Sequence, residues 1–225
     1  MCGIAGFIDI KSRISDPGAV IRRMADRMRH RGPDDEGFLL APPAFLGHRR
    51  LSIIDLSSGR QPISNEDGTI HVVFNGEIYN FPELKESLLK KGHVFKTNSD
   101  TEVILHQYEE DGCGCFAKFN GMFAAAIWDQ RDETLILARD RFGKKPLYYF
   151  LRDGVFAFAS ELTSLLEHPC AAKEIDQASL RMYLLFDAVP TPHTIIKDAR
   201  KLHEGSYLTF RAGEIKTGRF YDIKI

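Results

Sequence analysis

The chain is short of several things whose absence narrows what it can be. Only four cysteines occur in 225 residues, two of them in the run GCGC and the others far apart, which matches neither a dense disulfide framework nor the paired CxxC units of a structural zinc site. Cys113 and Cys115 are therefore read as structural thiols. Thirty basic residues nearly cancel 31 acidic ones, and no run of five like charges occurs, so the chain lacks the electrostatic footprint of a nucleic-acid or anionic-membrane binder. No apolar stretch approaches the length that spans a bilayer, and Asp9 and Lys11 interrupt the apolar start before it could serve as a signal segment. A cytoplasmic location is the resulting expectation. None of the eight histidines stands at metal-ligand spacing from another ligand candidate, so no metal is expected and His30, His48 and His71 receive no catalytic role. Internal repeats, low-complexity tracts and a Pro/Gly/Ser linker are also missing.

What is present is ordinary globular material, 44% apolar and long enough for one substantial core. Short strand-like runs recur between a few helical segments, an α+β pattern rather than a regular βαβ one. IHVVF, residues 70–74, reads as a strand stopping at Asn75-Gly76, where a sharp turn is expected. Asn80 with Glu83, and Ser99 with Glu102, are capping-box signals for helices over FPELKESLLKK and DTEVILHQYEE, the second placing Asp100 in a first helical turn. Beyond residue 120, MFAAAIWD, TLILARD, LYYFL and VFAFA read as successive strands of a second sheet. A helix over roughly 177–186 follows, then a last hairpin turning near Ala212-Gly213.

The opening MCGIAGF raises a question of its own. Cys2 is either a small hydrophobe beginning a buried strand or, once Met1 is removed, a first residue carrying both a nucleophilic thiol and a free α-amine. An α-amine has a pKa of about 7.7 to 8.0, where a general base is useful, so the same residue would supply nucleophile and base without a histidine. Asn75 offers a side-chain amide and Gly76 a backbone N–H, two donors suited to an oxyanion hole. Taken alone the dipeptide is also a strong hairpin signal, but the capping sequence at Asn80 leads into a helix and not a returning strand.

Six segments, MCGIAGF, RHRGPDDEG, GHRRLSIIDLSSGRQP, FNGEIYN, TNSDTEVI and RDRFGKKPLYY, occur in an order and spacing that closely resemble the N-terminal glutaminase domain of glutamine-hydrolysing asparagine synthetases. These are class II amidotransferases. The resemblance spans essentially all of the chain and implies an N-terminal-nucleophile hydrolase fold, a four-layer αββα sandwich of two antiparallel sheets. It further implies hydrolysis of glutamine to glutamate and ammonia through a Cys2 thioester, with Asn75 and Gly76 as the oxyanion hole. By the same resemblance Arg50 binds the substrate carboxylate, Glu77 and Asp100 receive the ammonium, and Leu51, Ser52, Ile53 and Ile54 line the substrate wall. Arg49 competes with Arg50 for the clamp on residue type alone. RHRGPDDEG is expected near the pocket without a reaction role. Residues 1–205 are expected to form the amidotransferase domain, and 206–225 a final hairpin and connector toward a C-terminal synthetase domain. That domain, where ATP and magnesium would bind, has no phosphate-binding motif in this chain, and no cofactor is expected here. A homodimer is left open, and so is a related amidotransferase with another acceptor or a non-catalytic docking module.

Overall fold

The computed structural model describes residues 1–52 and 59–222. In chain order the described elements are strand β1 (Gly3–Asp9), helix α1 (Pro17–Asp26), β2 (Asp35–Ala41), β3 (Ala44–Arg50), β4 (Ile63–Ser64) and β5 (Ile70–Ile78). Helices α2 (Phe81–Lys90) and α3 (Asp100–Asp111) follow, then a 3-10 segment (Gly112–Lys118), β6 (Gly121–Asp129), β7 (Thr134–Arg139), β8 (Tyr148–Arg152) and β9 (Val155–Ala159). Helices α4 (Leu162–Leu165) and α5 (Gln177–Phe186) precede β10 (Arg200–Lys201) and the hairpin β11 (Ser206–Arg211) and β12 (Glu214–Arg219).

The strands form two antiparallel sheets, in the orders β10-β8-β9-β1-β3-β2 and β12-β11-β7-β6-β5-β4. Strand alternation explains the layering. Val72, Phe74 and Ile78 of β5 join Leu88 of α2 and Val103, Ile104 and Leu105 of α3 in one buried cluster. Val73, one residue out of phase, points the other way and packs with Ile4 and Ile8 of β1, Trp128 of β6 and Phe158 of β9 between the sheets. A third cluster joins Phe7 and Phe45 of the first sheet to Val20, Ile21 and Met24 of α1. Three buried interfaces make four layers, the αββα sandwich expected from the resemblance.

Several local expectations change. β5 does not stop at Asn75-Gly76 but continues to Ile78, pairing Asn75 with Ala124 and Gly76 with Phe123. Long-range ladder pairing overrides the local turn preference of Asn-Gly. A Cβ at Gly76 would stand 2.3 Å from the Met122 carbonyl oxygen, so close approach of β6 requires this glycine. Helix α2 starts at Phe81, but the Asn80 side chain does not cap it; its amide donates to the Lys118 carbonyl and its oxygen accepts from Asn120 N–H. Ser99 does cap α3, while Glu102 receives the Lys96 and Thr97 amides and closes no reciprocal box. The four strands after residue 120 do not form one sheet: β6 and β7 lie in the second and β8 and β9 in the first. β11 pairs with β7, so the last hairpin is part of the second sheet. Among the described residues no helix is long and apolar enough to cross a membrane.

Candidate active site

The β1–β3 register sets Gly3 opposite Arg49 and so brings Cys2 beside Arg50 and Leu51. Leu51 N–H donates to Cys2 Sγ at 3.4 Å, and the thiol lies 3.7 Å from the Leu51 carbonyl. The Cys2 carbonyl accepts from Arg31 Nε at 2.9 Å, and Arg31 Nη1 reaches Glu161 Oε1 at 3.0 Å. Arg31, from the RHRGPDDEG segment, therefore fixes the backbone of the strand that carries the thiol. The preceding loop needs Gly32, since a Cβ there would lie 2.5 Å from Arg50 N.

Cys2, Arg50, Leu51, Asn75, Gly76, Glu77 and Asp100 all line one cavity of about 160 Å³. Ser52 is not among the lining residues; its amide donates to Asp34 Oδ2 at 2.8 Å. Ile53 and Ile54 lie outside the described residues. Alternation settles the choice between the paired arginines. Arg49 turns away to Asp26 and to Glu36, the latter at 2.7 Å, whereas buried Arg50 faces the cavity.

Asn75 lies on the same alternation of β5 as Val73, toward the first sheet, and is only 1% exposed. Its Nδ2 is buried without a hydrogen-bond partner among the described residues, a costly condition for an amide donor unless a ligand completes it. The neighbouring backbone donor is also directed at the cavity. Phe123, the residue paired with Gly76, uses its own N–H and carbonyl to bond Asp140, at 3.1 and 2.8 Å. Gly76 N–H consequently points off the open edge of β5, as do those of Phe74 and Ile78. Phe74 N–H donates to Gln61 Oε1 at 2.6 Å and Ile78 N–H to Asp100 Oδ2 at 2.9 Å. Between these two filled positions stands Gly76.

The cavity's charged lining is balanced, with Arg50 and Lys145 against Glu77 and Asp100. Burial pushes the Asp100 carboxyl above the ordinary aspartate value and nearby Glu77 adds to this, against the opposing hydrogen bonds from Ile78 and Ser99. Burial lowers the Lys145 ammonium, as does Arg31, while Cys2, Asp140 and Glu77 act to raise it. Sequence pattern does not single out Lys145, although it does mark RDRFGKKPLYY. Nothing in a run of lysines and arginines identifies the one whose backbone is tied down, here by Asp140 accepting from Lys145 N–H and Arg139 donating to its carbonyl. Gln61 and Thr101 carry no sequence signal either; they bond each other at 3.1 Å at the cavity wall.

A thiol, a side-chain amide without a partner among the described residues, a backbone N–H on an open strand edge, and cations and carboxylates in equal number suit attack on an amide within a zwitterionic ligand. The family model for the glutamine amidotransferase domain matches residues 1–221. Asparagine synthetase [glutamine-hydrolyzing] 1 of Bacillus subtilis is 42% identical over 213 residues, covering 94% of this chain and 34% of that protein. Asparagine synthetase [glutamine-hydrolyzing] 3 of Arabidopsis thaliana is 45% identical over 166 residues, 73% of this chain and 28% of the relative. The chain thus spans about a third of the length of the curated relatives it matches. Among solved structures, glutamine phosphoribosylpyrophosphate amidotransferase from B. subtilis superposes with a TM-score of 0.70 at 20% identity, covering 98% of this chain and 49% of that one, a likeness of fold. The chain belongs to the glutamine amidotransferase domain family.

Proposed function

We propose that this chain hydrolyses glutamine to glutamate and ammonia. With Met1 removed, the Cys2 α-amine takes the thiol proton and the sulfur attacks the side-chain carbonyl carbon of glutamine. Asn75 Nδ2 and Gly76 N–H receive the negative charge of the tetrahedral intermediate. The proton passes to the leaving nitrogen, ammonia departs, and water cleaves the γ-glutamyl thioester to glutamate and free thiol. Arg50 holds the substrate carboxylate and Glu77 and Asp100 its ammonium. The observation that carries this reading is the buried, unpartnered Asn75 Nδ2 in the same cavity as the Cys2 sulfur.

The relatives' names support asparagine synthesis as the use of the ammonia, and their greater length supports a C-terminal, ATP- and magnesium-dependent synthetase domain as the partner. Leu184, Leu185 and Phe186 at the end of α5, 62–76% exposed, leave apolar surface suited to that partner or to a second copy of the chain. The test is ammonia release and hydroxamate trapping by protein whose N-terminus has been sequenced as Cys2. Cys2→Ala should abolish both; normal turnover by that variant overturns the assignment, and so does full activity with Met1 retained.

A further inference from the structure

Three segments that the sequence keeps apart meet on the helical side of the second sheet: the β4–β5 connection with Glu66, the α2–α3 connection with His93, and α3 with His106. Spacing along the chain does not single these three out, because each comes from a different segment. We propose that Glu66, His93 and His106 form a zinc(II) site, outside the cavity that holds Cys2.

The geometry is that of a nearly assembled coordination shell. One ligand atom from each of the three residues lies within 4.8 Å of the others. Glu109 Oε2 sits 3.1 Å from His106 Nδ1 and 3.7 Å from His93 Nδ1, and Glu66 Oε2 lies 3.9 Å from His106 Nδ1. Zinc–nitrogen bonds of about 2.0–2.1 Å in a tetrahedron put ligand atoms about 3.3 Å apart, so only short side-chain movements are needed, with Glu109 as the fourth ligand. Each histidine also turns its second nitrogen toward another carboxylate: His93 Nε2 is 3.1 Å from Glu110 Oε1, and His106 Nε2 is 3.8 Å from Glu102 Oε1. Outer carboxylates of this kind orient histidine ligands and raise their basicity. His106 is 1% exposed, and its Nε2 is buried without a hydrogen-bond partner; a small inward shift on binding would bring it to Glu102.

Charge favours a dication. Among the described residues, Glu66, Glu102, Glu109 and Glu110 surround two imidazoles against two other cations, the Lys91 ammonium on Glu110 and the Arg131 guanidinium whose charge couples to Glu109. Imidazole nitrogens with carboxylates suit zinc among the common divalent ions, and magnesium or calcium would prefer an all-oxygen shell. The competing account is a plain network of ion pairs in which protonated histidines replace the metal. The first turn of α3 carries Asp100 into the active-site cavity, so an ion held by the same helix would stiffen one wall of that cavity.

Calorimetric titration with zinc chloride at neutral pH, on the full chain and on His93→Asn and Glu66→Gln variants, separates the two accounts. One zinc per chain should bind, with a rise in melting temperature, and each variant should weaken binding at least tenfold. Both substitutions fall at partly or fully exposed residues, so folding should survive; circular dichroism checks this. Cobalt(II) bound at the site should give d–d absorption without a thiolate charge-transfer band. Failure of zinc to bind, unchanged binding in both folded variants, or a thiolate band would each overturn the proposal.

Discussion

Asn75→Ala provides the sharpest test of the active-site reading, because catalysis and folding predict opposite consequences. Asn75 Nδ2 is buried and has no hydrogen-bond partner among the described residues. An unsatisfied buried donor costs about 1–3 kcal/mol, so deleting it relieves a penalty that offsets the packing lost with the side chain. Stability should therefore change little; each kcal/mol of net change would move the melting temperature by about 2–4 °C in a chain of this size. In the transition state the same amide meets a developing oxyanion in a cavity lined by Phe74 and Met122. Loss of one such donor costs about 2.7–4 kcal/mol, which slows turnover roughly a hundred- to a thousandfold and leaves KM little changed. The assay is glutamate release at saturating glutamine by N-terminally processed protein, paired with a thermal melt. A variant that melts like wild type and retains its rate to within about threefold refutes the oxyanion role. A variant whose activity loss merely follows its unfolding does the same.

Arg50→Lys should raise KM for glutamine about 10–100-fold by removing a planar, two-pronged donor from a buried site, whereas Arg49→Lys should leave KM unchanged, since its partners Asp26 and Glu36 are substantially exposed and such pairs are worth little; steady-state kinetics on both decide it. Lys145→Met should slow thioester formation about tenfold, because it removes one of the two cations that line the cavity with Cys2 and could meet charge developing there; rapid-quench measurements test this, and an unchanged rate rules it out. Burial lowers the pKa of His48 and of His168 from 6.5 to about 4, in both cases mainly by desolvation. Between those values the unfolded chain binds protons that the native state refuses, so stability falls as pH falls from 6.5 toward 4, by about 3 kcal/mol for each histidine. Urea melts at stepped pH measure the loss; His168→Phe, whose ring would keep the contacts with Phe7 and Phe150, should remove about half of it.

Strand and helix identities are largely legible in the sequence because they depend on local period: 70–74, 134–139, 155–159 and 177–186 all fall within elements of the expected type. Helix α1 has its own start signal, Asp16 at the N-cap with Pro17 after it, which the apolar pattern alone passes over; Asp16 Oδ1 accepts Ala19 N–H at 2.9 Å. Sheet membership is not legible. Nothing in LYYFL or VFAFA says that they cross to the first sheet, VFAFA beside β1 and LYYFL beyond it, since both faces of each are apolar and either sheet would bury them. The charged site residues are recognisable as types, but their direction comes only from pairing. Arg49 and Arg50 differ by one residue of phase, and phase is fixed by which partner strand arrives.

The Asn75-Gly76 step carries this further. Local chemistry reads it as a turn, where Gly76 would be needed for its backbone freedom. In the fold Gly76 is needed because β6 passes too close for a Cβ, and its amide is available because Phe123 is bonded on its far side to Asp140, a residue well beyond β5 in the chain. An open sheet edge ordinarily invites another strand. Here Gln61 and Asp100 fill the edge N–H groups on either side of Gly76, which blocks strand addition and leaves one backbone donor beside the Asn75 amide. If that is how the oxyanion hole is made, Gln61→Leu should do more than unpair Phe74 N–H. It should loosen the edge next to Gly76 and lower kcat without displacing Arg50, so KM should hold while turnover drops; a KM effect alone would show that Gln61 serves the substrate and not the strand.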